Sequence, residues 1–282
     1  MKSELAMHSV AANGAMIPSL GVGTWTLKGE LCAEIVSHAL SVGYRHIDTA
    51  SIYRNEADVG AGLRASGIPR ADVFVTTKVW WTDIAAGDLE RSAEASLKRL
   101  GLDQVDLLMI HWPNPRIPLE GSIKALNAVK RSGLARHIGV SNFPSGLLAQ
   151  ALSLSDAPLV ANQVEYHPYL DQSKVLSACR RAGMAMVSYC PLYRGGGLFE
   201  EQAVRSAASR HGKSPGQVVL RWHVQQQGVV AIPRTTKKER LAENMAIFDF
   251  ALSEDEMSAI SALSRQGSRI CDDSFAPEWD PA

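Results

Sequence analysis

Four polar side chains lie at or just after the ends of short apolar segments in the first half of the chain. They are Asp48, Tyr53, Lys78 and His111. A phenol can donate a proton to a carbonyl oxygen, an imidazole can orient that oxygen, and a lysine–aspartate pair can tune the phenol. This chemistry requires that the apolar segments be neighbouring strands whose ends converge on one site.

The expected effect of Lys78 on Tyr53 is a lowered pKa. At about 4 Å and an effective dielectric of about 20, an ammonium attracts a phenolate by on the order of 4 kcal/mol before desolvation costs. That attraction is enough to lower the pKa of Tyr53 by about 2–3 units from its usual value of about 10. We expect Asp48 to hold Lys78 protonated and in place, and His111 to donate a hydrogen bond to the reacting oxygen.

Short apolar segments alternate with helix-period segments from residue 20 to residue 241, and unalternating apolar runs are typical of parallel strands that are buried on both faces. The predicted strands are Leu20–Thr24, Tyr44–Asp48, Val73–Lys78, Val105–His111, His137–Ser141, Leu159–Gln163, Ala185–Tyr189 and Val229–Pro233. The predicted helices between and after them are Glu30–Val42, Glu56–Ala65, Asp88–Leu100, Leu119–Arg131, Ser145–Leu154, Asp171–Ala182 and Pro215–Gln226. Eight such units favour an α/β fold of the (β/α)8 TIM barrel type, which places functional side chains at the carboxyl ends of its strands.

Three further segments complete the predicted fold. Residues 8–18 are expected to form an N-terminal β-hairpin with Asn13-Gly14 as its type I′ turn. Glu200–His211 and Ser253–Ser264 are two extra helices beyond the minimal barrel. No shift of composition marks a linker, so we predict a single domain over residues 1–282.

A doubly wound dinucleotide-binding fold is the main structural alternative. That fold favours a Gly-x-Gly-x-x-Gly sequence between its first strand and first helix. Gly21-Val22-Gly23 is followed by Thr24, Trp25 and Thr26, so the third glycine is missing. The barrel therefore remains the favoured prediction.

The composition excludes several classes of partner. The 282 residues include 29 basic and 29 acidic side chains, and a formal net charge of +0 gives no sign of nucleic-acid or membrane-surface binding. No apolar run approaches the roughly 18 residues that span a bilayer, and residues 1–4 begin no signal peptide. The scattered cysteines Cys32, Cys179, Cys190 and Cys271 form no Cys-x-x-Cys pair. We therefore expect reduced thiols, no structural zinc and a cytoplasmic protein.

A basic segment follows the last predicted strand. Arg234–Arg240 contains four cations and two hydroxyl groups. In eight-fold barrels the loops after the last two strands often bind phosphate, and the N-terminus of a helix adds its dipole. Arg234 and Arg240 can each fork onto a phosphate group. A 2′-phosphate is the obvious target, so the segment indicates NADP(H) over NAD(H) as the cofactor.

Two alternative functions use the same barrel. A metallohydrolase could use His46 and Asp48, which share one face of a strand, with His111 or His167 as a further ligand. Tyr53 and Lys78 would then have no role. A nucleotide-binding sensing or docking module would keep the barrel without turnover. Sensitivity to a chelator tests the first alternative, and steady-state turnover tests the second.

Six motifs follow one another along the chain. They are Gly43–Glu56, Lys78 before an aromatic-rich turn, His111-Trp112-Pro113, Gly139–Phe143, Asn162–Glu165 and Ile232–Asn244. In their type and order the chain resembles the aldo-keto reductase family from about residue 10 to residue 265. The closing segment Phe275–Asp280 and the short loops are most similar to the bacterial 2,5-diketo-D-gluconate reductase branch.

The resemblance implies a role for each matching residue. Tyr53 would be the proton donor, Asp48 and Lys78 its tuning partners, and His111 the imidazole that orients the substrate. The residues that would hold NADPH are Gly23, Thr24 and Asp48 at the ribose, Ser141, Asn142, Gln163 and Tyr189 at the nicotinamide, Leu192 at the pyrophosphate, and Arg234, Thr235, Thr236, Arg240, Glu243 and Asn244 at the 2′-phosphate end. The residues that would line the substrate pocket are Trp25, Trp80, His111 and Trp112.

The sequence thus predicts an NADPH-dependent reductase that converts aldehydes and ketones to alcohols. Short loops suggest an open pocket that accepts small aldehydes, dicarbonyls and keto-sugars. No metal is expected, and the resemblance implies a monomer.

Overall fold

The computed structural model describes residues 8–265 and 267–281. Residues 1–4, for which we predicted no signal peptide, lie outside the described residues. The predicted hairpin is present, because β1 (Ser9–Ala12) pairs antiparallel with β2 (Ala15–Pro18). Asn13 and Gly14 have φ values of 44° and 88°, and a type I′ turn requires positive φ at both positions.

Eight parallel strands form one sheet in the order of the sequence. They are β3 (Val22–Gly23), β4 (His46–Asp48), β5 (Phe74–Val79), β6 (Val105–Ile110), β7 (Ala135–Ser141), β8 (Leu159–Glu165), β9 (Ala185–Tyr189) and β10 (Val229–Ala231). The first and last strands are joined, since Leu20 bridges Ala231 in parallel and Gly23 N donates to Pro233 O at 3.0 Å. The sheet closes on itself, which confirms the predicted (β/α)8 fold.

Helices cover the outside of the sheet. The described residues contain α1 (Gly29–Ser41), α2 (Glu56–Ala65), α3 (Asp88–Leu100), α4 (Leu119–Arg131), α5 (Ser145–Leu154), α6 (Ser173–Arg181), α7 (Gln202–His211), α8 (Pro215–Gln225), α9 (Lys238–Met245) and α10 (Glu254–Ser261). The two predicted extra helices are α7 and α10. A capping box starts α8, because Ser214 Oγ accepts from Gln217 N while Gln217 Oε1 accepts from Ser214 N. Pro215 then occupies the first helical position, where its missing N–H costs nothing.

The barrel has a core on each side of its sheet. Every residue of β5 and β6 is buried, which explains why their sequences do not alternate in polarity. A smaller cluster fills the interior with side chains such as Phe74, Leu107 and Val187, and Ile17 of the hairpin joins it from below. The interior is therefore packed at the amino end, and polar side chains collect at the carboxyl end. No helix in the described part of the chain is both long and apolar enough to cross a membrane.

Two glycines in α2 allow this helix to approach its neighbours closely. A Cβ atom at Gly60 would lie 2.1 Å from Leu100 O, at the end of α3. A Cβ atom at Gly62 would lie 2.6 Å from Ala33 O in α1. Because Tyr53 lies just before α2, this packing also fixes the helix that follows the candidate site.

We expect Gly60→Ala to destabilise the protein, because the added methyl group meets backbone atoms that cannot move aside. The free energy of unfolding should fall by about 3 kcal/mol. Gly121→Ala in α4 is the matched control, since nothing lies within 4 Å of its added methyl group. The control should gain up to about 1 kcal/mol from helix propensity. Urea unfolding measures both variants, and a Gly60→Ala protein as stable as the wild type would contradict this account of the packing.

Candidate active site

An ion pair between Lys78 and Asp48 lies at the carboxyl ends of β5 and β4. Lys78 Nζ is 2.6 Å from Asp48 Oδ1 and donates a second hydrogen bond, of 2.9 Å, to Thr49 O. The Lys78 side chain is 0% exposed and that of Asp48 is 2% exposed. Gln163 of β8 donates to the other carboxylate oxygen, Asp48 Oδ2, at 2.8 Å. Residues from three strands thus stabilise a charged pair that burial alone would disfavour.

Tyr53 ends a short 3-10 turn, Ser51–Tyr53, that follows β4. Its backbone is fixed on both sides, because Tyr53 N donates to Ala50 O at 3.0 Å and Lys28 Nζ donates to Tyr53 O. The Lys78 ammonium lies 5.2 Å from the centre of the Tyr53 ring. The turn therefore brings the phenol next to the ion pair, as the spacing of these residues predicts.

The pKa of Tyr53 is raised well above its usual range, so the predicted lowering of this pKa is wrong for the protein alone. Burial of the phenol is the largest cause, and the negative charge of Asp48 adds to it. The prediction considered only the lysine, whereas the ion pair presents Tyr53 with both charges. The phenol is consequently protonated at neutral pH, which is the state that a proton donor requires.

His111 follows β6 and faces Tyr53. The two ring centres are 5.5 Å apart at an interplanar angle of 73°, and Trp80 packs edge-on against the imidazole at 5.3 Å. Burial lowers the pKa of His111 well below its usual range, and the positive charge of Lys78 lowers it further. A neutral imidazole retains one N–H donor. His111 is thus suited to donate a hydrogen bond without bringing a charge into the site.

The residues that were predicted to hold a nicotinamide lie together at the ends of β7, β8 and β9. Ser141 Oγ donates to Gln163 O at 2.8 Å, and Asn142 Nδ2 donates to His111 O at 3.0 Å. Tyr189 OH donates to Asn142 Oδ1 at 2.8 Å. One hydrogen-bond network therefore joins these side chains to the segment that carries the imidazole.

Gly23 and Thr24 lie where the barrel closes. Thr24 N and Oγ1 both donate to Asp48 O at 3.0 Å. A Cβ atom at Gly23 would lie 3.0 Å from Ile232 O, so glycine leaves the rim open where a larger side chain would crowd it. Leu192 is half-buried in the segment after β9. These positions fit the ribose and pyrophosphate parts of a dinucleotide that lies along the rim.

The predicted phosphate-binding segment connects β10 to α9. Arg234 is exposed and reaches back toward β3, with Nε donating to Trp25 O at 3.1 Å and Nη2 donating to Thr26 Oγ1. Thr235 is half-buried and accepts from Lys237 N at 3.0 Å, while Thr236 is exposed. The guanidinium, the hydroxyl groups and the N-terminus of α9 thus form a donor set that fits a phosphate.

Arg240 lies in the first turn of α9 and pairs with Glu243. The distance from Arg240 Nη1 to Glu243 Oε2 is 2.9 Å, and Ser214 Oγ donates to Glu243 Oε1 at 2.5 Å. An exposed pair of this kind contributes at most about 1 kcal/mol, so the guanidinium can turn to another anion at little cost. Asn244, the last of the predicted residues, is buried in the same helix.

The model of the Aldo/keto reductase family matches residues 19–265. The chain belongs to this family. It is 39% identical over 267 residues to the methylglyoxal reductase DkgB of Escherichia coli O157:H7, across 94% of this chain and 99% of that protein. The crystal structure of a protein assigned as 2,5-diketo-D-gluconic acid reductase B matches with a TM-score of 0.96 and 48% identity over 100% of both chains. A Bombyx mori aldo-keto reductase in complex with NADP matches with a TM-score of 0.85 and 33% identity, over 91% of this chain and 92% of that one.

Membership of the aldo/keto reductase family makes the protein an oxidoreductase that acts on carbonyl groups and uses NADPH. The predicted family, enzyme class and cofactor are thereby confirmed. The individual roles of the site residues stay predictions, and the geometry described above brings most of them to one rim of the barrel.

The C-terminal segment of this aldo/keto reductase lies against the predicted substrate pocket. Phe275 packs between Trp80, Trp81 and Trp112, with ring centres 5.5, 5.1 and 5.3 Å away. Trp25, the remaining predicted pocket residue, is 54% exposed and packs against Tyr53. Phe275 was not among the predicted pocket residues, and the aromatic composition of the tail was the only signal for it.

Glu165 holds this segment in place. It lies at the end of β8 and is fully buried, and it accepts hydrogen bonds from Ile270 N at 2.6 Å and from Cys271 N at 2.7 Å. His167 Nε2 lies 2.9 Å from Glu165 Oε1. Glu165 belongs to a motif that we recognised in the sequence, but nothing in the motif indicated a contact with residues 105 or more positions away.

The geometry gives no support to the metallohydrolase alternative. In residues 8–265 and 267–281, no group of three or more histidine, cysteine, aspartate or glutamate side chains is arranged to hold a metal ion. His46 Nε2 lies 3.1 Å from Thr76 Oγ1, and burial lowers the pKa of His46 to about 4. Asp48 is engaged by Lys78 and Gln163, while His167 is bonded to Glu165.

We expect Glu165→Gln to loosen the C-terminal segment, because an amide nitrogen cannot accept a hydrogen bond from a backbone N–H. A loss of about 1–3 kcal/mol would raise amide exchange at residues 270 and 271 by about 5- to 150-fold. Hydrogen exchange followed by mass spectrometry measures this change. Asp280→Asn is the control, since Asp280 holds only the end of the tail through Ser145. Unchanged exchange at residues 270 and 271 in Glu165→Gln would show that the carboxylate is not the anchor.

Proposed function

We propose that this protein reduces small aldehydes, dicarbonyl compounds and keto-sugars to alcohols, with NADPH as the reductant and Tyr53 as the proton donor. One observation carries the proposal. The Lys78–Asp48 pair is buried, the Lys78 ammonium lies 5.2 Å from the centre of the Tyr53 ring, and the ring centres of Tyr53 and His111 are 5.5 Å apart. These side chains lie at or just after the ends of three adjacent strands. The relatives named for methylglyoxal and for 2,5-diketo-D-gluconic acid support this range of substrates.

The chain's own residues supply the proton and the orientation. Bound NADPH supplies the hydride to the carbonyl carbon. Tyr53 gives its phenolic proton to the carbonyl oxygen as that oxygen gains negative charge, and the oxygen becomes the hydroxyl of the alcohol. The Lys78 ammonium then stabilises the Tyr53 phenolate until solvent returns a proton. The neutral imidazole of His111 donates a hydrogen bond that holds the carbonyl oxygen near Tyr53.

The raised pKa of Tyr53 is compatible with this role. A phenol that is protonated over the whole neutral range always has a proton to donate. It ionises only when negative charge develops on the substrate oxygen, because the transfer is favourable only then. Asp48 holds Lys78 beside Tyr53, and its own charge keeps the phenolate from persisting in the resting enzyme. The ion pair thus positions the ammonium for the moment at which the phenolate forms.

The proposal is tested by the loss of NADPH absorbance with methylglyoxal, with an activated aromatic aldehyde and with a diketo-sugar acid. We expect turnover with NADPH in preference to NADH, and no effect of a chelator. Chelator-sensitive turnover would favour the metallohydrolase alternative. Tight NADPH binding without turnover of any of these compounds would favour the sensing module.

Tyr53→Phe should reduce kcat by about 10²–10⁴-fold, the usual contribution of a general acid. The affinity for NADPH, measured by quenching of tryptophan fluorescence, should be nearly unchanged because the ring remains. Tyr166→Phe is the matched control, since its hydroxyl group bonds to Gln226 on the outside of the barrel. Wild-type turnover by Tyr53→Phe would assign the proton to another donor.

Arg240→Ala should weaken the use of NADPH specifically. The loss of a charge-assisted hydrogen bond to the 2′-phosphate should raise the NADPH KM by about 10- to 100-fold. The KM for NADH should change little, because NADH lacks that phosphate. Arg205→Ala, an exposed arginine of α7, is the control. Equal changes in the two KM values would argue against a contact between Arg240 and the 2′-phosphate.

We also propose that the enzyme works as a single-domain monomer in the cytoplasm. The cysteines Cys32, Cys179, Cys190 and Cys271 are all free thiols, which suits a reducing compartment. Within residues 8–265 and 267–281, the exposed large hydrophobic side chains are Met16, Trp25 and Leu31, and they form no extended apolar surface along one element. Size-exclusion chromatography with light scattering tests the monomer.

A further inference from the structure

Two of the free thiols lie together at the rim of the barrel. Cys190 directly follows Tyr189 at the end of β9, and Cys271 belongs to the C-terminal segment. Both residues are half-buried, and their side chains are hydrogen-bonded to each other. Because they are far apart in the sequence, only the folded chain brings them into contact. Neither thiol has a part in the proposed hydride transfer.

The backbone on each side holds the two thiols in place. Glu165 of β8 is the register partner of Tyr189 of β9, the residue before Cys190. The same Glu165 carboxylate accepts a hydrogen bond from Cys271 N at 2.7 Å. Tyr193 N donates to Cys190 O at 2.9 Å, so a tight turn fixes the far side of Cys190. One buried carboxylate therefore keeps the C-terminal segment next to the end of β9.

The surroundings distinguish the two thiols. The Cys271 thiol donates a hydrogen bond that lowers the pKa of Cys190. Burial and the Glu165 carboxylate oppose this change, whereas the Arg194 guanidinium lowers the pKa of Cys190 further by its charge and a hydrogen bond. The hydrogen bond that Cys271 donates raises its own pKa, and burial adds to the rise. Cys190 is thus the thiol that ionises first, and the thiolate is the nucleophilic form of cysteine.

The other two cysteines are unsuited to react. Cys32 lies in α1 and Cys179 in α6, and both side chains are fully buried. Burial is the main cause that raises the pKa of each thiol to about 12. A protonated thiol without contact to solvent reacts slowly with oxidants. Cys32 and Cys179 therefore serve as internal controls for the reactivity of the pair at the rim.

We propose that Cys190 and Cys271 form a peroxide-sensitive dithiol that closes to a disulfide and ties the C-terminal segment to β9. The Cys190 thiolate attacks one oxygen of hydrogen peroxide and breaks the O–O bond, which leaves a sulfenic acid on Cys190. The departing hydroxide takes up the proton that the thiol gave up and becomes water. Cys271 then attacks the Cys190 sulfur, the S–S bond forms, and a second water leaves. The two thiols are oxidised by two electrons, and the peroxide is reduced to two waters.

The disulfide would fasten one wall of the predicted substrate pocket. Phe275, which packs against Trp80, Trp81 and Trp112, follows Cys271 closely in the same segment. The other end of the tether is next to Tyr189, the residue that is predicted to stack on the nicotinamide. A segment that is covalently tied to β9 cannot move away from the site. We therefore expect oxidation to slow the exchange of substrate and cofactor.

The first test treats the fully reduced wild-type protein with a small molar excess of hydrogen peroxide. Free thiols are then alkylated under denaturing conditions, and the peptides are mapped by mass spectrometry. We expect the intact protein to lose two hydrogen atoms and one linked peptide pair to contain Cys190 and Cys271. Cys32 and Cys179 should stay fully alkylated, and dithiothreitol should reverse the change. The absence of this link, or a link that involves Cys32 or Cys179, would overturn the proposal.

Two substitutions test the order of the steps. Cys271→Ser should leave Cys190 as a sulfenic acid that dimedone traps, because the second thiol is missing. Cys190→Ser should leave Cys271 reduced under the same treatment, because its raised pKa keeps it protonated. Dimedone labelling of Cys271 in Cys190→Ser, without labelling of Cys190 in Cys271→Ser, would contradict the assignment of Cys190 as the attacking thiol.

Hydrogen exchange measures the tether without turnover. Oxidation of the wild type should slow amide exchange in residues 272–281 by about tenfold or more, and Cys271→Ser should show no such change. Equal exchange in the oxidised and reduced wild type would contradict the tether.

The effect on turnover is the one part that rests on the proposed function. The kcat of the oxidised wild type with methylglyoxal should fall by about tenfold or more, and dithiothreitol should restore it. Full turnover by the disulfide form would show that the tether does not restrict the site. If the disulfide formed and exchange slowed, but neither redox form reduced any carbonyl compound, the proposed function would fail while the dithiol stood.

Discussion

The arrangement of the site depends on keeping a charged lysine inside the barrel. Burial lowers the pKa of Lys78, and the Asp48 carboxylate opposes that change from 2.6 Å away. A buried pair of this kind is stable only when its remaining donors and acceptors are satisfied. Thr49 O and the Gln163 amide satisfy them here, and Gln163 lies 115 residues from Asp48 in the sequence. The pair therefore forms only when the barrel is closed in its correct register, and Tyr53 is positioned by the same closure.

The sequence predicted the elements well because barrel strands and helices carry strong periodic signals. The bounds of α2, α3, α4 and α5 agree with the prediction residue for residue. The first strand is shorter than predicted, Val22–Gly23 in place of Leu20–Thr24, because it closes the barrel through a single bridge and a few hydrogen bonds. The positions of the four candidate catalytic side chains followed from the rule that parallel strands end on one side. The pKa of Tyr53 did not follow, since its direction depends on burial and on the placement of Asp48.

The C-terminal segment shows what periodicity cannot reveal. Residues 267–281 have no helix or strand, and their positions depend on individual contacts with distant residues. Glu165 binds two backbone amides, and Phe275 fits between three tryptophans. Neither contact leaves a repeating pattern in the sequence. The wall of the predicted pocket is consequently the part of the site that sequence reasoning described least.

The turn between β4 and α2 fixes Tyr53 independently of the side chain that follows it. Tyr53 and Arg54 are adjacent, yet Tyr53 packs against His111 while the Arg54 side chain is exposed. The left-handed conformation of Arg54, with φ of 52°, ends the 3-10 turn and redirects the chain toward α2. Tyr53 is held by backbone contacts to Ala50 and Lys28 that do not involve the Arg54 side chain. A change of side chain at position 54 that keeps this backbone conformation should therefore leave Tyr53 in place.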